Sequence, residues 1–141
     1  MKSAVRFSVG HYQFVIDVAL VQEVLPADGT ILSGDHRSWR DCNLPVLHLA
    51  RVFGLNSNEQ QPMVISNSHQ DSDTMFFLVA EKVHGLVDLE VENRSSLPTT
   101  LAGIRRMVEG VWRLDETGVL LLEMRSPVTS WFGAGNAREQ E

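Results

Sequence analysis

The chain has 141 residues, a hydrophobic fraction of 43% and a formal net charge of -6, a length and composition that suit one globular domain or two tightly joined subdomains. The acidic balance and the lack of any basic run argue against nucleic-acid binding, which needs a dense lysine and arginine face. Cys42 is the only cysteine, which excludes an intramolecular disulfide and a CxxC metal site. No stretch approaches about 18 uninterrupted apolar residues, and the N-terminus shows no apolar leader. We therefore predict a cytoplasmic protein without membrane insertion.

The first third of the chain is patterned as strands. Residues 5–9 alternate apolar and polar side chains, Gly10-His11 interrupts the pattern, and residues 12–18 resume it, which predicts a hairpin with one solvent-exposed face. A short strand at 21–24 follows. The segment 27–42 is polar and irregular.

The hydrophobic period changes within residues 43–54. The first half indicates a short buried strand entered through Pro45. The second half has the i, i+3, i+4 spacing of one helical turn, carried by Leu49, Val52 and Phe53 and closed by Gly54. We predict a strand that runs directly into a single capped turn.

The second half of the chain is again rich in strands. Apolar runs at 63–65 and 75–80 predict a hairpin, and after Gly85 a strand is expected to bury its valine and leucine face, formed by Val87, Leu89 and Val91. A further hairpin is expected from 107–114, bulged at Gly110, and 119–124.

The remaining elements complete an all-β prediction. Ser126-Pro127 indicates the start of a short C-terminal helix that ends near Gly133, and 134–141 is expected to be a flexible tail. Many short strands with few helices favour small barrels or a sandwich, because open strand edges must be closed or covered.

Catalytic patterns are scarce. A thiol-imidazole pair of Cys42 and His48, or paired carboxylates at Asp88 and Glu90, would be the candidates for a small enzyme or ligand-binding barrel. The alternation around Asp88 favours a solvent-exposed strand face instead. The histidines show no metal-binding spacing, and no glycine-rich phosphate loop is present. We therefore predict a protein that is not an enzyme and has no metal or cofactor.

Several stretches between about residues 5 and 128 follow one another in a recognisable order: Phe7–Ile16, Val21–Leu25, Leu44–Leu55, Phe77–Val83, Pro98, Ile104–Gly110 and Val119–Glu123. Read together, they resemble the CheW-like domain family of chemotaxis scaffold proteins. The resemblance implies two intertwined five-stranded SH3-like barrels with short helical turns. A single domain at 5–132, with subdomains at 5–60 and 61–128, is expected.

The resemblance also implies a function. Proteins of this family couple a chemoreceptor tip, held in a groove between the barrels, to the regulatory domain of a CheA-type histidine kinase. Val21 and Glu23 match a valine and a glutamate that help form the family's receptor- and kinase-contacting surface, and Arg40 matches the arginine of the family's Asn-Leu-Arg-Gly turn. Trp39 and Val46 complete our contact candidates, Trp39 either as an exposed anchor beside an arginine or as a side chain folded back over a barrel end.

The chain departs from the family just before Pro45. Trp39-Arg40-Asp41 stands where the family has Leu-Arg-Gly, so a glycine that would permit positive φ is replaced by a charged residue. The connection from 25 to 42 is also shorter than the family pattern. An adaptor with a different protein partner, in surface motility or another kinase pathway, is therefore the alternative function.

Overall fold

The computed structural model describes residues 2–26, 36–55, 59–66, 75–96, 108–114 and 118–124, and strands dominate them. The strands are β1 (Lys2–Val9), β2 (Tyr12–Asp17), β3 (Val21–Val24), β4 (His36–Trp39), β5 (Cys42–His48), β6 (Gln61–Ser66), β7 (Met75–Ala80), β8 (Lys82–Leu89), β9 (Arg94–Ser95), β10 (Val108–Leu114) and β11 (Val119–Met124). Helix α1 (Leu49–Val52) follows β5 directly, and 3-10 turns cover Val18–Leu20 and Val91–Asn93. The predicted all-β class is confirmed.

The strands form two sheets that exchange chain segments. One sheet has six strands in the order β8-β1-β2-β11-β10-β9, and the other has five in the order β3-β6-β7-β5-β4. In the six-stranded sheet the N-terminal hairpin joins the C-terminal strands, because β2 pairs in parallel with β11. In the five-stranded sheet β5 pairs in parallel with β7. The sheets are therefore intertwined. The subdomain bounds 5–60 and 61–128 stay a prediction.

The main hydrophobic core lies between the two sheets. Phe7 and Phe14 stack there with ring centroids 5.4 Å apart, against Met63, Ile65 and Leu78 of the five-stranded sheet. All of these side chains are fully buried, and burial of each stabilises the fold by about 1.5–3 kcal/mol. Each sheet also has a smaller cluster on its other face. Burial on both faces explains why β6 and β7 are continuous apolar runs rather than alternating ones.

Two hairpin turns show how the sequence sets the local backbone. Gly10 between β1 and β2 has φ of +58°, and a Cβ there would lie 2.9 Å from the Leu55 side chain, so the turn packs closely against the end of the α1 segment. Between β4 and β5, Arg40 and Asp41 have φ of +47° and +65°. Positive φ at both central residues is the signature of a type I′ turn.

The predicted strand-to-turn transition of residues 43–54 is present. Strand β5 passes into α1, and the Leu55 N–H donates to the Ala50 carbonyl at 2.8 Å. Gly54 follows the turn with φ of +69°, a conformation that glycine adopts without steric cost.

The C-terminal half of the chain confirms one prediction and contradicts another. The β10–β11 pairing is antiparallel, with a register shift between Val108 and Gly110, as the bulge prediction required. Val91 was predicted to be buried, but it is 67% exposed in a 3-10 turn because β8 ends at Leu89. The predicted helix from 126 to 133, the tail 134–141 and the loop residues 97–100 lie outside the described residues.

Candidate protein-interaction surface

Three of the predicted contact residues meet where the five-stranded sheet closes. The Arg40 guanidinium donates from Nη2 to Glu23 Oε1 at 3.1 Å, and its Cζ lies 4.7 Å from the centroid of the Trp39 ring. Glu23 is on β3 and Trp39 on β4, which are the two edge strands of the sheet. The sheet therefore curls until its edges meet, and this Glu23–Arg40–Trp39 triad spans the seam.

Exposure differs strongly within this triad. The Arg40 side chain is 72% exposed and the Glu23 side chain 32% exposed. Trp39 is half-buried and packs against a small cluster inside the curled sheet. Of the two readings of Trp39, the structure shows the side chain folded back, with Arg40 stacked on it. Arg40 and the Glu23 carboxylate are the accessible groups.

The small cluster fixes the position of the triad. Its buried members are Leu44, Val64 and Phe77, and its partly buried members are Leu25, Trp39, Val46 and Met75. The Arg37 guanidinium lies 5.5 Å from the Phe77 ring centroid. Val46, opposite Phe77 in the register, thus lies largely in this interior, and two arginines cover the aromatic rings of the cluster.

Val21 lies apart from the other predicted contact residues because β3 is bulged. Val21 pairs with Ile65 and Glu23 pairs with Val64, with a register shift between them. In a regular strand the side chains of residues two apart point to the same face of the sheet. A bulge inserts one extra residue between them, so the second side chain points to the opposite face. Val21 accordingly packs against the main core, and Glu23, opposite Val64, lies on the face of β3 that carries the small cluster. Sequence alternation alone cannot detect this switch.

A groove lies between the two sheets, beside the triad. It has a volume of about 310 Å³ and is lined by Val5, Val24, Gln61, Val83, His84, Gly85 and Leu86. Leu86 of β8 is 73% exposed and Val24 of β3 is 40% exposed, so apolar side chains face solvent on both sheets. Leu86 lies on the same predicted solvent-exposed face as Asp88 and Glu90. An apolar side chain on that otherwise acidic face was the signal in the sequence that could have indicated this groove.

The wall of this groove includes a histidine. His84 Nε2 lies 2.9 Å from the Ser8 hydroxyl oxygen, and Ser8 is buried. Burial, with the positive charges of Arg6 and Lys82, lowers the pKa of His84 below its ordinary value of 6.5. The imidazole is therefore neutral near neutral pH, and the groove receives no charge from it.

A second triad of the same residue types lies in the six-stranded sheet. Glu123 is 5% exposed and accepts from Arg94 Nε at 3.3 Å, Arg94 Nη2 at 3.2 Å and Trp112 Nε1 at 2.8 Å. Lys2 Nζ lies 3.8 Å away. Burial raises the pKa of Glu123, but the hydrogen bonds from Arg94 and Trp112 and the charge of Lys2 outweigh burial and lower it. Sequence reasoning did not single out Glu123, although a lone charge within an apolar run is a signal of a buried partner.

The candidate enzymatic groups do not converge. Cys42 and His48 are the first and last residues of β5, so about 20 Å of extended strand separates them. Asp88, on the other sheet, accepts from the Ser3 hydroxyl at 3.0 Å. Within the described ranges no group of three or more potential ligands could hold a metal ion. In the same part of the chain no helix has the length and apolar character to cross a membrane.

Comparison with known proteins agrees with the geometry. The family model described as the CheW-like domain matches residues 3–129. No curated protein matches the chain. Among solved structures, the scaffolding protein TtCheW from Thermoanaerobacter tengcongensis is similar with a TM-score of 0.70 and 19% identity, over 90% of each chain. That likeness shows the fold of two SH3-like barrels, and the family match covers nearly the whole chain: the protein belongs to the CheW-like domain family.

Proposed function

We propose that this protein is a non-catalytic cytoplasmic adaptor that couples a chemoreceptor to the regulatory domain of a CheA-type histidine kinase. Residues 5–132 would form the interaction domain. The observation that carries the proposal is the Glu23–Arg40–Trp39 triad. It unites, at the seam of one barrel, Glu23, which the family resemblance assigns to the contact surface, with Trp39 and Arg40, which are far from it in sequence.

The triad has the properties of a protein-binding surface. Arg40 is highly exposed, yet Trp39 and Glu23 hold its guanidinium in a defined place. A preorganised arginine loses less side-chain entropy on binding than a free one. Arginine and tryptophan are each enriched among the residues that dominate interface energetics. We assign this surface to the kinase regulatory domain, with the fixed charges giving register and specificity.

The groove between the sheets fits the second partner. We propose that the chemoreceptor tip presents an amphipathic helix, which binds by placing its apolar side chains in a hydrophobic groove. Val24 and Leu86 supply exposed apolar groups on the two walls. Val24 of the groove and Glu23 of the triad are consecutive residues of β3 whose side chains point to opposite faces of the strand, which would allow one adaptor to hold both partners at once.

The separation of the candidate reactive groups supports a role without catalysis. Cys42 and His48 occupy opposite ends of one strand, and neither lines the groove. Acid-base or nucleophilic chemistry needs its groups within hydrogen-bond reach of one another or of a shared substrate atom.

Calorimetric titration tests the proposal. The full chain is titrated separately with the regulatory domain of a CheA-type kinase and with the helical tip of a chemoreceptor, both from the same organism. We expect micromolar binding to each, and simultaneous binding when all three are mixed. Absence of binding to both partners at high micromolar concentration would overturn the adaptor role.

The alternative partner is favoured by one observation. The type I′ turn beside the triad is built from Arg40 and Asp41 without glycine, so it adds a carboxylate next to the surface. If the regulatory domain of a kinase from another pathway binds more tightly than the chemotaxis kinase, and Asp41→Gly reverses that preference, the protein serves that other pathway.

A further inference from the structure

Gln61 connects the two sheets at the groove. Its Oε1 accepts the Val83 N–H of β8 at 2.8 Å, and its Nε2 donates to the Leu25 carbonyl at 3.3 Å. Leu25 follows β3 and is itself anchored by its N–H to the Pro62 carbonyl at 3.0 Å. One side-chain amide therefore joins the β8 wall to the end of the β3 wall.

From this geometry we propose that Gln61 is a positioning residue that sets the separation of the groove walls and thereby the docking of a partner helix. The inference rests on the proposed function of the groove. It goes beyond that function because it names the residue on which the shape of the site depends.

The chemistry of glutamine suits this position. The carboxamide offers an acceptor and two donors at one end of a flexible side chain, so it can satisfy an N–H and a carbonyl at once. A methionine of similar length has no donor and only a weakly accepting sulfur, and a glutamate could satisfy only the N–H. Both hydrogen bonds are partly buried, where a lost partner leaves a polar group unsatisfied.

The same contact argues for a helix rather than a strand as the occupant. Strand β8 is an edge of its sheet, and edge strands can accept an added strand through their free N–H groups. The Val83 N–H is already bonded to Gln61. That N–H is therefore not free to pair with an added strand, and the exposed Val24 and Leu86 side chains fit the apolar face of a helix.

Three variants of the full-length protein test the inference. Gln61→Met removes both hydrogen bonds, Gln61→Glu retains only the acceptor for Val83, and Gln22→Met is the control on the exposed part of β3. Hydrogen exchange of the Val83 amide reports the contact itself. Titrations with the chemoreceptor tip and with the kinase regulatory domain report the two surfaces separately.

We expect Gln61→Met to speed Val83 exchange and to weaken binding of the chemoreceptor tip by about tenfold, because binding must then order groove walls that these hydrogen bonds had fixed beforehand. Gln61→Glu should fall between Gln61→Met and the wild type. Kinase-domain affinity should stay within about twofold, because the Leu25 N–H keeps its bond to the Pro62 carbonyl and so holds Leu25 in the small cluster beneath the triad. A general folding defect would instead weaken both titrations, and that result would overturn the inference.

The remaining outcomes separate this inference from the proposed function. If the wild type binds the tip and Gln61→Met binds it as tightly as Gln22→Met does, the positioning role is overturned and the groove function stands. If the wild type does not bind the tip at all, the groove function is overturned, and the positioning role with it.

Discussion

The two Glu-Arg-Trp triads use the same residue types in different surroundings. Around Glu123 the carboxylate is buried, Arg94 contacts it with two nitrogens and the Trp112 indole donates to it. Around Glu23 the carboxylate is one-third exposed and accepts one bond from a highly exposed Arg40. In the first triad Glu123 and Trp112 are buried and Arg94 reaches the solvent, whereas the second triad spans a barrel seam at the surface.

The comparison shows that burial determines how much the free energy of unfolding changes when one partner of an ion pair is removed. Removing one partner of a buried pair leaves an uncompensated charge in a low-dielectric region, which costs about 3–5 kcal/mol. An exposed pair is solvated in either state and contributes about 0–1 kcal/mol. The Glu123 triad therefore stabilises the fold, whereas the Glu23 triad leaves a positioned charge available to a partner.

The largest expected effect follows from removing Glu123. Glu123→Ala should lower the free energy of unfolding by about 3 kcal/mol, the lower end of the range because Arg94 is partly exposed and can be rehydrated. Glu23→Ala, the matched change in the other triad, should lower it by less than about 1 kcal/mol. Urea denaturation measures both. Equal losses would contradict the distinction between the triads.

Acid should abolish the Glu123 contribution. The native-state pKa of Glu123 lies below its ordinary value of 4.5, so the unfolded chain binds its proton first as the pH falls. The stabilisation is thus complete above pH 4.5 and is lost as the pH falls through the lowered native pKa. The stability difference between wild type and Glu123→Gln should shrink over that window. A difference independent of pH would show that the Glu123 charge is not involved.

Gly110 should be needed for the geometry of the buried triad. A Cβ at this position would lie 2.8 Å from Arg94 Nη2, so Gly110→Ala should displace the guanidinium and destabilise the fold by about 1–2 kcal/mol. In an Arg94→Ala background the same change should cost almost nothing. A full cost in both backgrounds would place the strain elsewhere.

The smallest stability effect is expected at the surface turn. Asp41 has φ of +65°, and glycine adopts this conformation without the steric cost that a Cβ brings. Asp41→Gly should therefore raise the free energy of unfolding by up to about 1 kcal/mol, partly offset by the greater freedom of glycine in the unfolded chain. Thermal denaturation measures the gain. A loss of stability would indicate that the Asp41 side chain makes a stabilising contact.

Sequence patterns predicted the elements better than they predicted the contacts between them. The alternation in β1 and β2 and the change of period around Pro45 are local signals, because they depend on neighbouring side chains along one chain segment. The parallel pairings of β2 with β11 and of β5 with β7 join segments far apart in sequence. No local pattern encodes them, and here only the family resemblance implied intertwined barrels.

The candidate surface shows the same limit. Glu23, Trp39 and Arg40 were named separately from the sequence, but their convergence depends on the closure of the five-stranded sheet. The bulge that turns Val21 to the main core gives no signal in a four-residue strand. Gln61 belongs to no sequence motif either. Its proposed role depends on hydrogen bonds to Val83 and Leu25, which only the folded chain brings to its side chain.

A charge exchange in the surface triad tests the central claim most directly. In Glu23→Arg combined with Arg40→Glu the ion pair can form again with its charges reversed. We predict an unfolding free energy within about 1 kcal/mol of the wild type, together with at least a tenfold, or about 1.4 kcal/mol, weaker binding of the kinase regulatory domain in calorimetric titration. Wild-type affinity in this folded double variant would contradict the assignment of the Glu23–Arg40–Trp39 triad as the kinase-binding surface.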